Sequence, residues 1–294
     1  MSRNRKPFRQ NKNSTNSRQE EDVVDTPVMA AFREYAKELD DKHDRYERIV
    51  KMSRDITIES KRIIFLLHTI ETRRNNREKV LEDAEKRLRA VCETNFLLIA
   101  RELEDLDQNQ YLRAFSPGLQ EFIEAYSYFE YLKDSSKLSD WDDLQQFLTY
   151  NIDKPSSTKE NETKEEKSLQ EQTVAKKQIV CTIKPVEFIL GLADLGGEIM
   201  RRCINSLGSG DIDSCFQACR TLQTLYAGYL RIRPVGNREI PRKITTLRQS
   251  TLKAENVCYN IKVRGGEAAS WDTLDTAGFA MDKIAHDDED EGFY

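Results

Sequence analysis

Apolar residues recur at helical spacing through the first third of the chain. After Asp25-Thr26-Pro27, where a capping residue stands just before a proline, they follow one another at intervals of three and four residues, as in Phe32, Tyr35 and Leu39. The stretch 28–116 contains neither glycine nor proline, which argues against hairpin turns and phosphate-binding loops there. The pattern predicts helix throughout this stretch.

A helix of this length must fold back on itself. A straight helix through residue 116 would be about 130 Å long, at ~1.5 Å per residue. The polar run Arg73-Arg74-Asn75-Asn76-Arg77 interrupts the apolar pattern and is the expected corner. The helical spacing resumes at Val80 and continues past Ile99, with an end expected near 105–110. The sequence therefore predicts two long antiparallel helices.

The rest of the chain alternates helix-like segments with turn signals. The expected helix starts are Ser116-Pro117-Gly118, the Ser139-Asp140 cap, Pro185, Asp211 or Asp213, and Glu239. The expected stops are Gly208-Ser209-Gly210 and Gly265-Gly266. We expect an all-α protein with no strand, a bundle of about seven helices.

Composition divides the chain into regions. Residues 1–26 form a basic arm, since the first 18 residues carry six basic side chains and no acid. Residues 282–294 form an acidic tail with six acids and one lysine. Between them lies a helical domain, 27–281, in which residues 151–178 are expected to be a disordered insertion because they are charged and lack periodicity. The basic arm suits nuclear import or phosphate contact, or is only a solvated tail.

Other composition features exclude several classes of protein. No apolar run approaches the ~18–20 residues needed to span a bilayer, so no membrane association is expected. The six cysteines and three histidines show no zinc-type spacing, and the cysteines are expected to be reduced and mostly buried. His68, within an apolar run, is expected to be packed in the core rather than to act as a base.

Two glutamates stand out on the helix expected after Gly118. Glu121 and Glu124 are three residues apart, about 60° on a helical wheel, and lie off the apolar stripe of this segment. Their neighbours on that face are Tyr128 and Tyr131 rather than lysine or aspartate. A helix face that contacts only water rarely has this composition.

A second acidic stripe follows Pro185. Glu187, Asp194 and Glu198 recur at i, i+7 and i+11, within about 40° on the wheel, and Arg201 or Arg202 continues the stripe. The glycines beside it, which would let another helix or a substrate approach closely, are Gly191, Gly196 and Gly197.

If the two stripes face each other, Glu121, Glu124, Asp194 and Glu198 form a carboxylate cluster. Two such charges about 5 Å apart repel by roughly 3 kcal/mol at an effective dielectric of 20. A cation would relieve this repulsion, and oxygen ligands favour Mg²⁺ or Mn²⁺. Such an ion could activate water against a phosphodiester.

The arginines and the remaining acid have less defined roles. Arg201 or Arg202 could hold a phosphate group, and Glu187 could support the ligands from outside the cluster. Arg73, Arg74 and Arg77 either contact nucleic acid or form a solvent-exposed corner. Acidic stripes are also common on solvated helix faces, so spacing alone leaves the metal site one of two interpretations.

Three segments resemble members of the translin family. They are GLQEFIEAYSYFEYL, PVEFILGLADLGGEIMRRCINSLGSGDID and ENVCYNIKVRGGE, in that order, and the similarity extends over residues 28–266. The resemblance implies a translin-like helical fold. It also implies assembly with translin into a hollow barrel of hetero-octamer type that binds single-stranded RNA and DNA.

The same resemblance implies an activity. It is a Mg²⁺-dependent (or Mn²⁺-dependent) endoribonuclease on single-stranded RNA that promotes activation of the RNA-induced silencing complex, RISC, by removing nicked passenger strand. Processing of tRNA fragments, and a location in cytoplasm and nucleus, are also implied. Glu121, Glu124 and Asp194 would be catalytic and, together with Glu198, would bind the ion.

A non-enzymatic function remains the alternative. In it the chain is a helical scaffold that stabilises translin, binds single-stranded nucleic acid without cutting it, and aids nuclear import through the basic arm. The acid quartet separates the two, because a scaffold has no need of four inward-facing carboxylates.

Overall fold

The structure, a computed structural model, describes residues 26–70, 75–153, 176–233 and 236–264. The acidic tail, nearly all of the basic arm and the middle of the charged insertion lie outside these residues. The α-helices are α1 (Pro27–His68), α2 (Arg77–Val91), α3 (Leu97–Glu102), α4 (Leu112–Lys133), α5 (Trp141–Phe147), α6 (Pro185–Ser209), α7 (Ile212–Tyr229) and α8 (Glu239–Arg264).

Two shorter helical turns join these elements. A π-helical turn, Cys92–Phe96, links α2 and α3 into one continuous helical segment, and a 3₁₀ turn, Gln108–Tyr111, leads into α4. Counted in this way, the described part of the chain has seven helical segments. The predicted all-α bundle of about seven helices is confirmed.

The chain divides into two units between Asp44 and Arg45. In the first unit the apolar residues of α1, among them Phe32, Tyr35 and Leu39, are largely exposed to solvent. In the second unit the corresponding apolar positions of α1, such as Ile49 and Ile56, are fully buried in the hydrophobic core.

The sequence placed most helix boundaries correctly. The corner after α1 falls where the polar run predicts it, with α2 beginning at Arg77. Asp140 accepts a hydrogen bond from the Asp142 amide (2.7 Å) and caps α5. Gly210, in the left-handed region with φ 77°, ends α6, and Asp211 then caps α7 through the Ser214 amide (3.2 Å).

The predicted start of α4 at 116–118 is wrong, because the helix begins four residues earlier at Leu112 and Pro117 lies inside it. A proline there removes one helical hydrogen bond. A hydroxyl from α1 supplies partners at this point: Ser53 Oγ accepts from the Gly118 amide (3.1 Å) and donates to the Phe115 carbonyl (3.5 Å). A local sequence rule could not foresee a partner 62 residues away along the chain.

The prediction that the chain has no strand is also wrong. Two strands, β1 (Thr149–Asp153) and β2 (Lys176–Val180), pair antiparallel with Thr149 opposite Val180. They enclose the charged stretch, so the ends of the segment predicted to be disordered are paired. The pair is anchored to the core, since Ile179 is buried and Tyr150 donates to the Cys92 carbonyl (2.8 Å).

Two further expectations concern the core and membranes. All six cysteines are free and buried, as the sequence predicts. Among the helices that the structure describes, none combines the length and the apolar character needed to cross a membrane.

Close backbone contact packs α6 against its neighbours. A Cβ atom on Gly191 would lie 2.7 Å from the Gln120 carbonyl oxygen and 2.8 Å from Ile123 Cβ, both on α4. A Cβ atom on Gly196 would lie 2.3 Å from Leu247 Cδ1 of α8. Glycine at position 191 therefore lets α6 approach the α4 backbone more closely than any other residue would allow, whereas the neighbour of Gly196 is the end of a leucine side chain.

We expect Gly191→Ala to destabilise the fold by roughly 1–3 kcal/mol, because neither a backbone oxygen nor a β-branched side chain can move aside easily. The measurement is urea unfolding followed by circular dichroism. Gly228→Ala in α7 is the matched control: it is an exposed helical glycine whose added Cβ would meet nothing within 4 Å. The control should gain up to ~1 kcal/mol. Equal stability of the two variants would contradict the packing argument.

Candidate metal and catalytic site

One cavity brings together acidic residues from two helices. It has a volume of about 370 Å³ and lies between α4, α6 and α8. Its charged lining residues are Glu121, Glu124, Asp194, Glu198 and Lys243. The two acidic stripes that the sequence singled out therefore face each other across a common space.

Local helix geometry explains this arrangement. On α4 the fully buried stripe includes Leu119, Phe122 and Ile123, which turns Glu121 and Glu124 to a partly exposed flank. The contact at Gly191 holds α6 against that flank. Asp194 and Glu198, one and two turns further along α6, then line the same cavity.

Glu124 carries the clearest electrostatic signature. Burial and, after it, repulsion from Asp194, Glu198 and Glu121 together raise the pKa of its carboxyl to about 8, while Lys243 opposes the shift. Glu124 thus interacts electrostatically with each of the other three acids of the cavity.

Two lysines neutralise part of the cluster. Lys243 of α8 donates to both carboxylate oxygens of Asp194, at 2.6 and 2.7 Å. Lys61 of α1 lies 3.1 Å from Glu121 Oε1. Sequence reasoning missed both lysines, because helical periodicity within one segment does not show which residues of another helix it will meet.

Glu198 is held by a histidine. His68 Nε2 lies 2.5 Å from Glu198 Oε2, and Arg201 Nη1 lies 3.5 Å from the same oxygen. The other ring nitrogen, Nδ1, lies 3.1 Å from the Tyr128 hydroxyl. His68 is packed in the interior, as the sequence indicates, but it also contacts the acidic site.

The other candidate residues lie elsewhere. Glu187 accepts hydrogen bonds from Ser116 and Gln120 of α4 and does not line the acidic cavity. Arg202 donates to the Ile70 carbonyl (2.5 Å) and does not line the acidic cavity, whereas Arg201 contacts Glu198.

Of the three arginines at the predicted corner, only Arg77 lies within the described residues. Arg77 donates to the carbonyls of Leu132 and Lys133 at the end of α4, at 2.7 and 3.2 Å, which gives it a structural contact. Arg73 and Arg74 lie outside the described residues.

The donor chemistry of the cavity suits a hard divalent ion, since carboxylate oxygens are the ligands that Mg²⁺ and Mn²⁺ prefer. The mutual repulsion that raises the pKa of Glu124 would be relieved by such a cation. Within the described ranges, however, no group of three or more His, Cys, Asp or Glu side chains is arranged to hold an ion. Asp194 and Glu121 are turned toward lysines, so metal binding requires side chains to rearrange.

A second cavity, about 400 Å³, lies between α2, α4 and α5. Its floor is formed by the aromatic rings of Phe122, Tyr126, Phe129 and Phe147, and its charged rim residues are partly paired with one another, as in Arg89 with Glu85. Three acids line it, Glu85, Glu130 and Asp143, but Arg89 and Lys133 pair with the first two. The first cavity, with four carboxylates and one lysine in its lining, is therefore the better candidate for chemistry.

Glu124→Gln is expected to stabilise the protein in EDTA, increasingly so as the pH rises. The pKa of Glu124 is raised in the folded state, from 4.5 to about 8, so its contribution to stability is present below about pH 4.5 and is lost as the pH rises through 8. Glutamine does not ionise and avoids this loss. Thermal melting at about pH 5 and pH 8.5 measures the effect, with roughly 2–4 °C expected for each kcal/mol.

Glu130→Gln is the control for this prediction. Glu130 lies on the same helix but pairs with Lys133 at the surface (3.3 Å). Its variant should differ from the wild type by the same amount at both pH values. A Glu124→Gln variant that behaved in the same way would show that the carboxylates do not interact as described.

Comparison with known proteins identifies the family and the fold. A sequence profile described as the Translin family matches residues 44–265. Translin-associated protein X of Mus musculus is 40% identical over 284 residues, covering 94% of this chain and 94% of the mouse protein. The Rattus norvegicus protein is 43% identical over 242 residues, covering 82% and 81%. The Schizosaccharomyces pombe homologue is 25% identical over 238 residues, covering 78% and 86%.

Solved structures share the fold. The crystal structure of apo-NeC3PO matches with a TM-score of 0.54 at 18% identity, over 79% of this chain and 95% of that one. The complex of AfC3PO with duplex RNA matches with a TM-score of 0.51 at 16% identity, over 83% and 98%. With a family profile over most of its length and mammalian relatives about 40% identical, this chain belongs to the translin family.

Proposed function

We propose that this chain is the catalytic subunit of a complex with translin that cleaves single-stranded RNA as a Mg²⁺-dependent endoribonuclease. The observation that carries the proposal is the single cavity in which Glu121, Glu124, Asp194 and Glu198 meet from two helices. Bringing four acids together in a partly buried cavity is costly unless a cation or proton offsets their repulsion, and such arrangements cluster at functional sites.

The residues of the cavity have distinct tasks in this proposal. A bound Mg²⁺ or Mn²⁺ would lower the pKa of water and stabilise the charge that develops on the phosphodiester. Glu121, Glu124, Asp194 and Glu198 would hold the ion. Lys243 and Lys61, released from their carboxylates, would then be free to contact phosphate oxygens, as would the largely exposed Arg201.

Similarity to known proteins supports a role with nucleic acid. The mammalian relatives named translin-associated protein X match almost the whole chain, and the fold is shared with AfC3PO, which was solved in complex with duplex RNA. We propose single-stranded RNA as substrate, single-stranded DNA as a further ligand, and RISC activation through removal of nicked passenger strand, with tRNA fragment processing as a second task.

The N-terminal unit supports assembly with translin. On α1 the residues Val28, Phe32, Tyr35 and Leu39 fall within about 60° on a helical wheel and are 59–64% exposed. An exposed apolar stripe of this kind marks a surface that another chain covers. We propose that translin covers this stripe in a barrel of hetero-octamer type, in both cytoplasm and nucleus.

A specific observation favours the scaffold alternative. Lys243 pairs with Asp194, and Lys61 with Glu121, so the fold already offsets two of the four acids without an ion. In that case the chain would stabilise translin and bind single-stranded nucleic acid without cutting it. The two functions differ in whether hydrolysis depends on the acids.

Cleavage should depend on the carboxylates and on the metal. In the complex of the full chain with translin, Glu124→Gln and Asp194→Asn are each expected to slow cleavage of single-stranded RNA by about 100-fold or more, the scale for losing one group that stabilises transition-state charge. EDTA should abolish cleavage and Mn²⁺ should restore it. The assay follows a labelled oligoribonucleotide, with gel-shift titration to show that RNA binding persists.

Glu130→Gln, off the acidic face of the same helix, is the control and should cleave at the wild-type rate. Full Mg²⁺-dependent cleavage by both site variants would contradict the assignment. RNA binding with no cleavage by the wild-type complex would establish the scaffold function instead.

Assembly should depend on the apolar stripe of α1. Phe32→Ser combined with Leu39→Ser is expected to shift the complex with translin to smaller species in analytical ultracentrifugation, because it removes two exposed apolar side chains from the proposed contact. The control pair, Lys37→Ser with Asp41→Ser, lies on the opposite side of α1 and should leave the sedimentation profile unchanged. If the two pairs behaved alike, the stripe would not be the contact.

A further inference from the structure

A buried chain of hydrogen bonds ends on one of the four acids. It joins three helices, since His68 is the last residue of α1, Tyr128 lies on α4 and Glu198 on α6. His68 Nε2 is 2.5 Å from Glu198 Oε2, and His68 Nδ1 is 3.1 Å from the Tyr128 hydroxyl. The side chains of His68 and Glu198 are only 10% and 11% exposed.

The Tyr128 hydroxyl is the hydrogen-bond partner of the second histidine nitrogen, Nδ1. Burial raises the pKa of the Tyr128 phenol, which therefore keeps its hydrogen. Within the described part of the chain, His68 Nδ1 is the one hydrogen-bond partner of this hydroxyl. A carboxylate oxygen can only accept, so Nε2 carries the hydrogen that it shares with Glu198 Oε2. In a neutral ring Nδ1 is then the acceptor for the phenol hydrogen, so the two contacts favour the same tautomer.

The position of the imidazole is fixed as well as its tautomer. Its ring lies against that of Tyr128, with centroids 4.8 Å apart and the planes inclined at 36°. Tyr128 is itself fully buried and stacks on Tyr131 at 6.5 Å. The donor that meets Glu198 is therefore held by packing on one side and by a hydrogen bond on the other.

The two carboxylate oxygens of Glu198 differ in their hydrogen bonding. Oε2 receives the hydrogen bond from His68 and lies 3.5 Å from Arg201 Nη1. Among the described residues, Oε1 has no hydrogen-bond donor, and Glu198 lines the acidic cavity. Fixing one oxygen of a carboxylate in this way orients the other.

We propose that His68 is a positioning residue that orients Glu198 for metal binding, and that Tyr128 favours the tautomer His68 needs for this task. The inference rests on the proposed function, because it assigns a role toward the ion that the four carboxylates would bind. His68 acts through Glu198 and touches neither the ion nor the RNA. Loss of such an outer partner typically weakens metal affinity by about 10–100-fold.

The test measures Mn²⁺ binding without RNA, on the full chain in its complex with translin. Free Mn²⁺ is followed by electron paramagnetic resonance as the ion is titrated. His68→Ala is expected to weaken affinity by about 10-fold or more. His68→Gln should stay within about 3-fold of the wild type, because its amide nitrogen can donate from nearly the same place as Nε2. Tyr128→Phe keeps the ring but frees Nδ1, and should give an intermediate loss.

A matched variant separates positioning from stability. Leu67→Ala removes the fully buried neighbour of His68 on α1 and should lower the melting temperature without changing Mn²⁺ affinity. A merely structural histidine would weaken Mn²⁺ binding no more than Leu67→Ala does, and His68→Gln would not rescue it.

The outcomes distinguish this inference from the proposed function. If the wild-type complex binds no Mn²⁺ and shows no EDTA-sensitive cleavage, the proposed function is wrong and the role of His68 falls with it. If the wild type binds Mn²⁺ and His68→Ala binds it equally well, this inference alone is overturned. Equal weakening in His68→Ala and His68→Gln would also overturn it, because the donated hydrogen bond would then not matter.

Discussion

The close contact between α4 and α6 at Gly191 is the constraint on which the rest of the site depends. A carbonyl oxygen of one helix and the Cα of the other meet with no room for a side chain. That distance sets the depth of the cavity beside it, because Asp194 and Glu198 lie one and two turns along from the contact. A larger residue would separate the helices and move both acids away from Glu121 and Glu124. Backbone packing thus holds the like charges close together despite their mutual repulsion.

The groups that offset this repulsion come from outside the two acidic helices. Lys61 and His68 belong to α1, and Lys243 belongs to α8. Each meets a different carboxylate, so two further helices, α1 and α8, contribute to the electrostatics of this cavity once the bundle is packed. The same elements carry core residues, such as Ile64 on α1 and Leu247 on α8. Stability of the bundle and the electrostatic state of the site are therefore linked.

How much of this site the sequence predicts depends on how far apart along the chain the contacting residues are. The spacing of Asp194 and Glu198 follows from the helical repeat, so their shared face could be read directly from the chain. Pairing of Asp194 with Lys243 could not, because periodicity fixes a face on each helix but not the register between two helices. The predicted start of α4 was wrong for the same reason. The Ser53 hydroxyl, which bonds to the backbone on both sides of Pro117, comes from another helix. The family resemblance supplied the opposed stripes, whereas the lysines and His68 emerged only from the packed structure.

The four acids differ in whether they have a basic or hydrogen-bonding partner, and this difference favours a functional role for the cluster over a purely structural one. Glu121, Asp194 and Glu198 each have a basic or hydrogen-bonding partner, whereas no ion-pair partner of Glu124 exists among the described residues. Burial and its three acidic neighbours raise the pKa of its carboxyl to about 8, which costs stability near neutral pH. A purely structural cluster would gain by replacing this residue with a neutral one of the same shape. An acid at position 124 in the lining of this cavity is physically reasonable if a cation binds there, because the ion then meets a carboxylate that it need not detach from a lysine.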